Sequence, residues 1–118
     1  MKLKLWMMTA ALLAGTLAMG ADAVALGTAA MMAIGCQQYR ICNTGKCPLG
    51  IATQDPALRA RLDVEQSSIL LANFLRSLTH ELEEFSRMTG HANLHDLSVE
   101  DLCTVHSEVS NHTRIQHV

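Results

Sequence analysis

The sequence predicts an α/β chain: a piece of a β/α barrel, then a cysteine-bearing loop, then an α-helical tail. Three observations lead there. Small apolar residues before Gly20 recur at helical spacing and lead into the short apolar run Ala23-Val24-Ala25-Leu26. Cys36, Cys42 and Cys47 crowd into one stretch rich in turn residues. Beyond Asp55 the apolar residues fall on one stripe, with acids and bases mixed between them. The 118 residues suffice for one small domain, and with 49% apolar but 3% aromatic residues its core is aliphatic and rich in Met.

Ala10, Ala11, Leu13, Ala14, Leu17 and Ala18 lie at helical spacing, and Ala and Leu are strong helix formers. Gly20 is placed to end that helix. Ala23–Leu26 before Gly27 fits a fully buried parallel strand. Gly27-Thr28 then opens a second helix over Ala29–Ile34, broken by Gly35. Helix, glycine turn, buried strand, Gly-Thr and helix make up half a turn of a β/α barrel. The same start also fits a secretory signal. Lys2 and Lys4 form a basic beginning, Leu5–Leu17 is apolar, and Ala18-Met19-Gly20 has small-x-small character. The two readings exclude each other, because cleavage near Gly20 would remove the helix. A membrane span is disfavoured: the uncharged run Leu5–Ala21 is at the short limit for crossing about 30 Å of hydrocarbon, and Asp22 follows.

The loop reads C-x5-C-x4-C from Cys36 to Cys47, followed by Pro48. Asn43, Gly45 and Pro48 are turn residues, and a loop can wrap several thiols around one inorganic core where a helix or strand would splay them. Three close thiols suit a metal centre better than the dispersed pairs of a disulfide scaffold. A closed zinc site takes four ligands, and the nearest histidine after the loop is His80. Two-iron and four-iron clusters usually take four thiolates, so three suit a three-iron cluster. Arg40 and Lys46 flank the thiols with positive charge that favours thiolates. Reduced structural cysteines with one disulfide remain the alternative.

In the tail, Asp55-Pro56 reads as a helix N-cap and first helical residue. A long amphipathic helix is expected over Val64–Met88, with Leu71, Leu75, Leu78, Leu82 and Phe85 as its stripe and Gly90 as its end. Ser98-Val99-Glu100-Asp101 should cap a short final helix through Leu102 and Val105. Cys103 is expected to be a buried small apolar residue. His91 and His95 could share a metal only on a helix, which Gly90 and Asn93 oppose. The net charge of −2, from nine Lys plus Arg against eleven Asp plus Glu, gives no basic excess for nucleic acid. No Ser–His–Asp or paired-carboxylate constellation emerges, so no catalytic residue is assigned.

Gly20-Ala21-Asp22-Ala23-Val24-Ala25-Leu26-Gly27-Thr28-Ala29-Ala30 resembles the last strand of the flavin-binding barrel of glutamate synthase. Cys36-x5-Cys42-x4-Cys47-Pro48-Leu49-Gly50-Ile51-Ala52-Thr53-Gln54-Asp55-Pro56 resembles that family's cluster loop. The likeness runs from about Ala18 onward and weakens after Leu62. It extends to related flavin proteins acting on methylamine and glutamate. The resemblance implies a partial (β/α)8 TIM barrel, reduced to its last strand and helix. It divides the chain into a barrel segment over 1–35, an iron–sulfur loop over 36–56 and a helical tail over 57–118, whose stripe packs on the barrel wall. It implies glutamate formation from 2-oxoglutarate and glutamine-derived ammonia, with hydride delivered from reduced FMN. It implies Cys36, Cys42 and Cys47 as ligands of a 3Fe-4S cluster, and Gly27 and Thr28 near the FMN phosphate, where barrels bind phosphate beyond strands seven and eight. Its implied partners are the rest of the synthase barrel, an amidotransferase domain or subunit, and an NAD(P)H-dependent small subunit or ferredoxin as electron donor. It places the protein in the cytoplasm. A complete barrel needs roughly 200 residues or more, so the expectation is a truncated chain, inactive alone. The rival readings are a small exported cysteine-containing protein and a zinc-binding module.

Overall fold

The computed structural model describes residues 2–118, with side chains from residue 9 onward. The chain forms two compact units. One comprises the residues up to Ala25 with Ser77–Val118, and the other comprises Leu26–Arg76.

The first unit opens with α1, Lys2–Ala18. Ala10, Leu13 and Ala18 are buried at helical spacing, while Leu12 faces out. The helix closes as its glycine foretells: Gly20 N–H donates to the Leu17 carbonyl and Ala21 N–H to that of Thr16. α1 packs against a single 3-10 turn, Leu94–Asp96, which Asn93 caps by accepting the His95 N–H. Among the described residues no helix is long and apolar enough to cross a membrane. Residues 23–26 pair with no strand among the described residues, and Val24 is exposed. A strand exists through the backbone bonds of its neighbours, and these residues meet none here.

The long helix α4, Val64–Met88, has the expected bounds. Asp63 starts it by accepting the Gln66 N–H at 2.9 Å. Its buried positions are Phe74, Leu78 and Ser86, with Leu71, Leu82 and Phe85 half-buried. Leu75, expected on the stripe, is 43% exposed. One residue turns the helix by about 100°, and the larger aromatic ring of Phe74 takes the inward position. Buried Ser86 is satisfied by donating to the His91 carbonyl.

Beyond α4 the capping box at Ser98–Asp101 forms as expected. The helix it should start does not continue to Val105, for it is one 3-10 turn, Val99–Asp101. Leu102 is extended and leads into β1, Cys103–Thr104, which pairs in parallel with β2, Gln116–His117. The short helix α5, Ser107–His112, lies between the two in sequence. The Leu102 N–H still donates to the Val99 carbonyl, and the ladder with β2 takes over from Cys103 onward. Cys103 is exposed on this edge, not buried.

The second unit carries α2, Thr28–Ala33, and α3, Pro56–Arg59, with the cysteine loop between them. Gly35, at φ 104°, closes α2: its N–H donates to the Met32 carbonyl and the Cys36 N–H to that of Met31. This left-handed closure, which glycine adopts without Cβ strain, brings the chain out of the helix at the first cysteine. α3 begins as its sequence predicts, with Asp55 accepting the Ala57 N–H at 2.8 Å and Pro56 in the first turn.

Candidate metal centre

Each of the three loop cysteines sits in a different setting. Cys36 is half-buried and its sulfur accepts the Gln38 N–H at 3.4 Å. Between it and the second cysteine, Gln38 and Arg40 hold left-handed φ values of 55° and 57°. A non-glycine residue in that region costs about 1–2 kcal/mol. Cys42 is exposed and opens the 3-10 turn Cys42–Thr44, which Gly45 closes. Thr44 Oγ1 donates to the Ile41 carbonyl and accepts the Lys46 N–H, bracing this turn.

Cys47 is buried. It begins a turn in which the Gly50 N–H donates to the Cys47 carbonyl at 3.2 Å. The backbone N–H groups of Ala52 and Leu49 foremost, then those of Ile51 and Gly50, hold the Cys47 thiol below its ordinary pKa, against the opposing effect of burial. Several main-chain donors pointing at one sulfur stabilise its anion. Gly50 has φ 78° and is itself buried. A Cβ there would lie 2.6 Å from the Leu58 carbonyl oxygen and 3.0 Å from the Leu62 nitrogen. Arg61 Nη1 donates to the Pro48 carbonyl at 3.2 Å from thirteen residues away in sequence. Thr53, buried just beyond, accepts the Asp55 N–H and so joins the turn to the start of α3.

All four cysteines carry free thiols. Among the described residues no three His, Cys, Asp or Glu side chains converge on a point that could hold a metal ion. The structure thus places Cys36, Cys42 and Cys47 on one loop without drawing their sulfurs together. The donor chemistry nevertheless suits an iron–sulfur group: three thiols within twelve positions, one of them already set as an anion acceptor by main-chain donors. Gly27 is the N-cap residue of α2, and Thr28 follows on the surface. A Cβ on Gly27 would meet nothing within 4 Å, so the space in front of that turn is open.

The histidines take other roles. His91 Nε2 lies 3.0 Å from both carboxylate oxygens of Asp101. The Ser98 N–H, then His91, hold the Asp101 carboxyl below its ordinary value of 3.8. His95 lies in the turn after Asn93 and shares no helix with His91. A cavity of about 420 Å³ beside His91 is lined also by Glu83, Ser86, Arg87 and Leu94 and holds none of the residues predicted for the site. Sequence reasoning missed Arg61 and the His91–Asp101 pair, because both depend on how the chain folds back. The one available signal for Arg61 was a cation soon after a well-capped short helix.

The comparisons with known proteins agree with one another. A family model described as a conserved region in glutamate synthase matches residues 4–92. A glutamate synthase large subunit-like protein of Rhizobium meliloti is 42% identical over 113 residues, covering 82% of this chain and 26% of that protein. An archaeal-type glutamate synthase [NADPH] of Thermotoga neapolitana is 52% identical over 68 residues, covering 58% of this chain and 13% of that protein. A ferredoxin-dependent glutamate synthase of Pyropia yezoensis is 41% identical over 80 residues, covering 68% of this chain and 5% of that protein. The chain thus spans about a quarter or less of these relatives. No solved structure matches it. With the family model covering well over half of its residues, the cysteine loop included, this chain belongs to the glutamate synthase family.

Proposed function

We propose that the chain is the cluster-bearing part of an FMN- and iron–sulfur-dependent oxidoreductase that makes glutamate from 2-oxoglutarate and glutamine-derived ammonia. The observation that carries this reading is the C-x5-C-x4-C loop, whose third thiol lies among main-chain N–H donors. In this reading Cys36, Cys42 and Cys47 hold a 3Fe-4S cluster, and Gly27 and Thr28 lie at the FMN phosphate. When bound, the cluster relays electrons to FMN, and the reduced flavin supplies the hydride that yields glutamate. The chain's own task is to bind and to exclude. Cys47 offers a buried thiol whose pKa the N–H groups of 49–52 lower, so that it gives up its proton more readily to a bound cluster, and Cys36 and Cys42 complete the ligand set.

The remainder of the synthase barrel, with residues 23–26 as its last strand, supplies the substrate and most flavin contacts in this proposal. Ammonia comes from an amidotransferase domain or subunit. The electron donor is a reduced nicotinamide coenzyme acting through a small subunit, or ferredoxin, in line with the names of the two kinds of relative. The site of action is the cytoplasm. In this proposal these 118 residues alone are inactive, since they offer one candidate strand of a barrel that needs roughly 200 residues or more.

The test is anaerobic reconstitution with iron and sulfide, counting both per chain. The expected result is a cluster lost in Cys36→Ser, Cys42→Ser or Cys47→Ser and retained in Cys103→Ser. Full incorporation by Cys42→Ser, or loss of incorporation in Cys103→Ser, would overturn the ligand assignment.

A further inference from the structure

We draw no further inference here: the strongest candidate, the polar cavity beside His91 at the C-terminal end of α4, is lined by Glu83 and Arg87 that already pair with each other and by Ser86 that already donates to the His91 carbonyl, so nothing among the described residues shows what it would hold.

Discussion

The two ends of the cysteine loop are built differently. Around Cys47 the chain is buried, and the turn is gripped by Arg61 and by the close approach of Gly50 to the 58–62 stretch. Between Cys36 and Cys42 it lies on the surface and carries two non-glycine residues at left-handed φ. The fold supplies one end of the proposed site as a finished structure and leaves the other strained and open. A bound group would then be seated by the Cys47 end, while its binding energy would order the Cys36–Cys42 end. Strain of this kind persists where the surroundings enforce it and is often found at functional positions.

Four experiments separate the two ends from the supports behind them. The largest effect is expected in the core of the second unit. Phe74→Ala should lower unfolding stability by about 3 kcal/mol, a typical loss for a buried aromatic, while Leu75→Ala, at an exposed neighbour, should stay within about 0.5 kcal/mol. Chemical denaturation of both variants checks the order, and equal losses would mean that Leu75 and not Phe74 alone faces the core. Next comes Gly50→Ala at the fixed end. It meets the Leu58 carbonyl and requires an unfavourable φ, so a loss of about 2 kcal/mol is expected. A thermal shift near zero would mean that the Cys47 turn is not clamped.

At the open end the sign reverses. Gln38→Gly removes Cβ strain and should stabilise the unloaded chain by about 0.5–1 kcal/mol. Destabilisation would show that the strain attributed to Gln38 is not there. The smallest effect serves as a control outside the loop. The Asp101 carboxyl is held below its ordinary 3.8 by the Ser98 N–H and by His91. Its contribution to stability is therefore complete above the unfolded carboxylate value and is lost as pH falls through the lower folded value. Amide signals of 98–101 should keep their dispersion as pH falls to the ordinary carboxylate value of 3.8 and lose it only below that, with no matching change in Asp101→Asn.

Much of the local structure was legible in the sequence, because it depends on residues close together in the chain. Asp55-Pro56 set the start of α3, Gly20, Gly35 and Gly90 set the ends of three helices, and the bounds of α4 followed from its charge and apolar pattern. The cysteine spacing named the candidate ligands. What could not be read depends on tertiary choice. Phe74 and Leu75 are adjacent, and only packing decides which turns inward. The capping box at Ser98 was correct, but a box cannot say how far a helix runs, and this one closes after one turn, with Cys103 and Thr104 pairing to Gln116 and His117 beyond it. Cys103 looked like a core residue and lies exposed on that small ladder. Arg61 drew no notice because its partner, Pro48, becomes a neighbour only once α3 has turned the chain back.

The absence of room at Gly50 has a meaning at the level of the gene. Every single-base change in a glycine codon either is silent, at the third base, or introduces a side chain or a stop. At most surface turns a small side chain would be absorbed. Here even alanine meets a carbonyl oxygen that belongs to the main chain and cannot rotate away. That codon is thus confined to silent drift, because the space a Cβ would take is closed by the main chain of Leu58 and Leu62 rather than by a side chain that could move.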